Sequence, residues 1–278
     1  MAMVSKTSYP SAIAGRPGAF FASLLAVIIT TLLTTSAMAQ ETKPLRIALA
    51  TSISNQAAEI AAEEAEAEGL KVELIEFNDW NTPNRAVADR EADANLFQHI
   101  PFLEFTNANT GGDLVAIAPA FSTPFGLYSK KVKTLAELPD DAEIVFSGDA
   151  VNTTRSLLLL QQAKFLELKP GVGTKATLED VAKWVKPLKI TQLDGPQIAR
   201  VLDDVDAAAT YPTFAKLAGL DASSGLIFEN DPIYAFQFVT RPDMRDDKRL
   251  QRFIEIYRKS PAVKDKLRSL YGSMVSFP

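Results

Sequence analysis

Leu45-Arg46-Ile47-Ala48-Leu49-Ala50 is a short apolar run flanked by polar residues, and it predicts a strand. A polar turn over 51–55 follows, with Ser54 or Asn55 placed to cap what comes next. Ala57 to Glu68 is rich in Ala and Glu and predicts a helix that Gly69 stops. Residues 70–77 alternate apolar and polar side chains, the period of a second strand. This strand–helix–strand succession constrains the chain most, because it implies parallel strands in one sheet joined by crossover helices.

The alternation continues. Helices are expected over 83–90 and 101–107, and strands over 94–97 and 114–117. Residues 121–128 contain Pro124 and Gly126 and carry the chain into a second lobe. There, strands are expected over 143–146, 189–193 and 206–209, and helices over 153–166, 178–184 and 197–203. A helix over 213–218 and an apolar strand over 234–239 follow, and helical spacing runs from Asp247 to Tyr271. The expected division is 40–123 with 226–278 as one α/β lobe and 124–225 as the other, with a ligand cleft between them.

The N-terminal segment reads differently. Lys6 and Arg16 precede an apolar stretch from Ala19 to Thr35, and Ala37 and Ala39 end it. This is the pattern of a secretory signal over 1–39, cleaved after Ala39; an uncleaved anchor is the alternative. Loss of Lys6 and Arg16 takes the net charge from −5 to about −7, a poor match for nucleic acid. No second apolar run reaches the length of about 18 residues needed to span a bilayer. Cysteine is absent, which excludes disulfides, thiol catalysis and Cys-based metal sites. It also excludes a lipid-modified cysteine, so a soluble periplasmic product without a lipid anchor is expected. His99 is the single histidine, so no multi-His metal site is expected, nor any cofactor.

Several segments, in order, carry a resemblance. They are Phe77-Asn78-Asp79-Trp80, Pro83-Asn84, Asp93 to Leu103, Tyr128 to Lys131, Arg155 to Gln161, and Pro196 to Asp204. Together they resemble the NlpA/MetQ family of solute-binding components of ABC importers, typically for methionine. The resemblance implies a two-lobed periplasmic-binding fold of the second type, a ligand that is methionine or a related small amphipathic carboxylate, and an ABC permease at the inner membrane as partner. A monomer is expected.

The resemblance also implies roles. Arg155, near a helix start, matches a carboxylate-binding arginine, and a guanidinium holds a carboxylate through two parallel hydrogen bonds. Trp80, Phe97, His99 and Phe102 match an aromatic pocket for the ligand's side chain, although each also reads as a core residue. Asn152 matches a polar ligand contact or, equally, a helix cap. Two departures stand out: Tyr211 and Phe236 occupy positions where methionine binders carry Asn. A Phe cannot hydrogen-bond, so Gln237 is the remaining candidate to supply a lost amide.

Two other classes compete with a binding protein. A dehydratase-type enzyme acting on a cyclic carboxylate shares the two-lobed fold, and Thr154-Arg155 superficially matches its Thr-Arg pair. Against it, the sequence shows no nucleophile–base pair, metal cluster or phosphate-binding Gly loop. A surface interaction protein would leave the cleft unused. The sequence favours a receptor without catalytic residues, either for methionine or for another ligand of the same family.

Overall fold

The computed structural model describes residues 43–278; the expected signal over 1–39 lies outside the described residues. Two five-stranded sheets organise the chain from Pro44 onward.

The first sheet has the order β2-β1-β3-β12-β4, formed by β1 (Leu45–Ala50), β2 (Val72–Phe77), β3 (Ala94–His99), β4 (Val115–Phe121) and β12 (Phe236–Thr240). β1 pairs in parallel with β2 and β3, whereas β12 runs antiparallel between β3 and β4. The period-2 geometry of β1 feeds two layers at once. Leu45, Ile47 and Leu49 face one core with Ala57, Ala58, Ala61 and Ala65 of α1 (Asn55–Ala67), and Ala48 faces another with Ala86 and Val87 of α2 (Thr82–Ala88). α3 (Ile100–Thr110) starts immediately at the end of β3.

The second sheet has the order β11-β5-β10-β6-β9. Its strands are β5 (Phe125–Tyr128), β6 (Ala142–Ser147), β9 (Leu188–Leu193), β10 (Ala207–Thr210) and β11 (Ile227–Glu229). β6 pairs in parallel with β9 and β10, and β5 runs antiparallel to β10 and β11. α4 (Ala150–Gln162), α5 (Ile198–Val201) and α6 (Pro212–Leu217) accompany these strands. Residues 122–124 lead into this sheet, and residues 230–235 lead back to β12. The second sheet takes up chain as far as Glu229, beyond the expected return at 226, because the short β11 adds to its edge beside β5.

Two expected helices are corrected. Over 178–184, the Thr177–Asp180 capping box supports only a single 3-10 turn. Val181–Trp184 (β8) then pairs antiparallel with Leu166–Leu168 (β7). The helix expected over 247–271 is two: α7 (Lys248–Lys259) and α8 (Pro261–Tyr271). Ser260 ends the first and caps the second by accepting from Val263 N–H at 3.2 Å, and Pro261 lacks the N–H that would continue the ladder. Among the described residues, no helix is long and apolar enough to cross a membrane.

Phe238 of β12 anchors the larger core, meeting the Phe253 and Tyr257 rings edge-on at 6.1 and 5.3 Å. Phe253 is 0% exposed. Phe253→Ala should cost about 3–5 kcal/mol of unfolding free energy, measurable by urea titration. A loss within the noise of a surface substitution would mean that α7 is not packed as described.

Candidate functional site

The site follows from where the parallel strands end. β1 delivers Ala50 and Thr51, β2 leads to Trp80, and β3 delivers Phe97 and His99. From the second sheet, α4 after β6 brings Asn152, and the segment after β10 brings Tyr211, Thr213 and Phe214. Carboxyl ends of strands in α/β sheets are where ligand crevices form. These residues line one cavity together with Ser52, Ser54, Asn55, Leu96, Gln98, Phe102, Phe121, Thr123, Phe236 and Tyr271.

Its aromatic wall is continuous. Trp80 meets Phe102 at 6.3 Å and Tyr211 at 6.1 Å, both edge-on, and Phe97 meets Phe102 at 6.0 Å. Phe236 pairs with His99 on β3 and Phe121 on β4, so three lining side chains share one rung of the first sheet. The strand register shifts around Gln237, a bulge at the cavity's edge. Phe236 packs against the cores of both sheets.

Contacts between the two sheets' elements close the cavity. Thr213 Oγ1 lies 3.0 Å from Ser52 Oγ and 3.0 Å from Tyr271 OH, and it accepts from Ile53 N–H at 3.2 Å. Gly195, just after β9, lies directly under Trp80: a Cβ there would fall 2.0 Å from the indole, so this approach requires glycine.

The polar end centres on Tyr211. His99 Nδ1 accepts from Phe102 N–H at 3.2 Å, which caps α3 and leaves the ring proton on Nε2. That nitrogen faces Tyr211 OH at 3.1 Å. Arg155 Nη1–H donates to the same hydroxyl at 2.8 Å, and the hydroxyl donates to Asn152 Oδ1 at 2.9 Å. One donor and two acceptor sites are thereby all used. The cap of α4 is Asp149, which accepts from both Asn152 N–H and Asn152 Nδ2 at 2.9 Å; Asn152 is therefore not the cap. Burial raises the Tyr211 pKa, and the neighbouring Arg155 offsets part of that rise.

Arg155 is 2% exposed and sits behind Tyr211, not in the cavity wall. Its Nε donates to Glu229 Oε1 at 2.8 Å and Nη2 to the same oxygen. Tyr234 covers its face at 3.7 Å and Phe125 lies at 4.6 Å. The guanidinium is thus held by a carboxylate of the chain itself. Gln237 differs from expectation too: its amide donates to Ala235 O at 3.0 Å, bent onto its own backbone by the bulge, and it does not line the cavity.

Of the residues singled out from the sequence, Trp80, Phe97, His99, Phe102, Asn152, Tyr211 and Phe236 converge on the cavity. Sequence reasoning missed the hydroxyl-bearing side, Thr51, Ser52, Ser54, Thr123 and Thr213. The turn over 51–55, directly after the first parallel strand, carried the signal that could have found part of it. Glu229 and Tyr234 were missed as well: Glu229 ends a three-residue strand with no readable period, and Tyr234, expected to begin a strand, instead ends the single 3-10 turn Pro232–Tyr234. Asn84, Asn95 and Gln98 form a buried amide cluster, with Asn95 Nδ2 donating to Asn84 Oδ1 at 2.9 Å and Asn84 Nδ2 to Gln98 Oε1 at 3.0 Å. These motif residues fasten α2 to β3.

Burial and the nearby Arg155 guanidinium hold the His99 pKa well below 6.5. The unfolded chain takes up a proton near pH 6.5 that the fold refuses, so this contribution to stability is present above about 6.5 and is lost as pH falls below it. Denaturant titrations at about pH 7.5 and about pH 5.5 should show a larger acid loss in wild type than in His99→Gln. Equal losses would contradict a buried neutral His99.

Comparison with known proteins places the family and the fold. The NlpA lipoprotein family model matches residues 45–276. "Outer membrane lipoprotein 2" of Mannheimia haemolytica is 36% identical over 244 residues, covering 87% of this chain and 88% of that one. "D-methionine-binding lipoprotein MetQ" of Escherichia coli (strain K12) is 38% identical over 219 residues, 77% of this chain and 81% of that protein. The crystal structure of the methionine-binding protein MetQ superimposes with a TM-score of 0.80 at 35% identity, covering 84% of this chain and 97% of that one. A nutrient-binding protein from Burkholderia cenocepacia, solved bound to methionine, superimposes at 0.78 and 33% identity, covering 83% and 98%. These findings correct one expectation: the family and these relatives are lipoproteins, so the absence of a lipid anchor, inferred from missing cysteine, is withdrawn. With its family model matched from the first strand almost to the C-terminus, and its two sheets shared with these binding proteins, the chain belongs to the NlpA lipoprotein family.

Proposed function

We propose that this protein is the solute-binding component of an ABC importer. It closes over methionine or a related small amphipathic solute and delivers it to a permease at the inner membrane. The observation that carries this reading is a cavity reached by strand ends of both sheets, walled by Trp80, Phe97, His99, Phe102 and Phe236. Such rings favour a thioether, which gains from sulfur–aromatic contact. The moving parts are a lobe of residues 44–121 with 236–278 and a lobe of residues 125–229, hinged at 122–124 and 230–235. Asn152, Tyr211 and, behind them, Arg155 form the polar end. Export to the periplasm by a signal peptide and action as a monomer belong to the same reading.

Binding is favoured over catalysis. Relatives carry the names of binding proteins. The Thr154-Arg155 pair that suggested a dehydratase is not presented to the cavity: Thr154 Oγ1 donates to Ala176 O at 2.7 Å, and Arg155 is engaged by Glu229.

The test is calorimetry with D- and L-methionine and their thioether relatives on wild type and Trp80→Ala. At least one thioether should bind to wild type, and Trp80→Ala should weaken every binder by about tenfold or more, roughly 1.4 kcal/mol. Unchanged affinities in Trp80→Ala would remove the cavity from the binding reaction.

A further inference from the structure

Three polar groups at the cavity's polar end converge on one hydroxyl. Tyr211 OH accepts from Arg155 Nη1–H at 2.8 Å and from His99 Nε2–H at 3.1 Å, and it donates to Asn152 Oδ1 at 2.9 Å. Arg155 Nε and Nη2 are taken by Glu229, so Nη1 is the nitrogen turned towards the residues that line the cavity. Two donors and one acceptor around a single point are the complement of an α-amino acid head group. The donors fit a carboxylate, and the amide oxygen fits an ammonium. In this arrangement a phenol of the chain itself takes that place.

We infer that Tyr211 is an internal competitor for the solute's head group: its hydroxyl stands where a carboxylate oxygen of methionine binds, and it turns aside when the solute enters. This rests on the reading of the cavity as the solute site. The exchange is favourable in kind, because hydrogen bonds from an ionised donor to a carboxylate are about twice as strong as those to a neutral oxygen. It also keeps the charge balance, since Glu229 already matches Arg155 and methionine is a zwitterion without net charge. Opening of the cleft gives the ring room to move. Tyr211 belongs to the second lobe, while His99 at 3.1 Å and the Trp80 and Phe236 rings at 6.1 and 5.8 Å belong to the first. Solute binding therefore has to replace three hydrogen bonds that the protein makes to itself, and Tyr211 sets the affinity through them.

The test is calorimetry with L- and D-methionine on wild type and Tyr211→Phe, which keeps the ring and removes the competing hydroxyl. Tyr211→Phe should bind at least one enantiomer about tenfold more tightly than wild type does. A crystal structure of wild type grown with that enantiomer should place a methionine carboxylate oxygen on Arg155 Nη1. The Tyr211 hydroxyl should then lie beyond hydrogen-bond range of that nitrogen, more than about 3.5 Å away. Affinity in Tyr211→Phe equal to or below that of wild type overturns the inference, and so does methionine bound in wild type with the Tyr211–Arg155 bond intact. Either result leaves the solute-binding reading standing. Methionine binding by neither protein also overturns the inference, and the wider thioether panel then decides the solute-binding reading on its own. The wild-type crystal decides the matter even if Tyr211→Phe does not fold.

Discussion

Arg155 is a full positive charge with almost no access to water, and the second lobe is built around the need to compensate it. Glu229 supplies the opposite charge from β11, Tyr211 a hydroxyl from the end of β10, and Tyr234 and Phe125 their ring faces. These partners come from separated points of the chain, so satisfying one guanidinium fixes them relative to α4. Tyr234 lies two residues before Phe236, so the same requirement sets where the chain re-enters the first sheet. A buried ion pair is seldom more stable than an apolar replacement of equal volume, but breaking one is expensive. Here the pair specifies one arrangement of the returning segment.

What that arrangement leaves is an aromatic cavity lined by elements of both sheets. Trp80 of the first lobe rests on the backbone at Gly195 of the second, and Thr213 ties Ser52 to Tyr271. Hydroxyl–hydroxyl contacts at about 3 Å are individually weak, near 1 kcal/mol each. The aromatic wall is stiffer, since His99 both caps α3 and holds Tyr211, and Phe236 belongs to both cores.

Much of this was legible in the sequence. The run from Leu45 to Phe77 encodes a parallel βαβ unit through its period and the stop at Gly69; the expected N-cap is not made, since Ser54 has no capping hydrogen bond and Asn55 donates to Ala50 O and Glu76 instead. Seven of the nine residues singled out reach the cavity, because motifs at strand ends in an α/β sheet necessarily meet there. Other features depend on tertiary partners. Ile227-Phe228-Glu229 becomes a strand only because β5 presents a free edge, so Glu229 gave no sign of its role beside Arg155. Gln237 was the candidate for a missing amide, but a bulge turned it to its own backbone. Val181–Trp184 carries a cap signal for a helix and pairs instead with β7. The expectation of an unanchored product is withdrawn for a different reason: it rested on one residue type, whereas the family and the relatives are named lipoproteins.

The account depends most directly on Arg155 being charge-balanced within the protein. A double-mutant cycle of Arg155→Met and Glu229→Gln, followed by denaturant unfolding, measures this. Glu229→Gln alone should cost about 3–5 kcal/mol by leaving a buried guanidinium without its counter-charge, and the double variant should recover most of that loss. Additive effects, or a Glu229→Gln variant as stable as wild type, would contradict the claim that this pair organises the fold around the site.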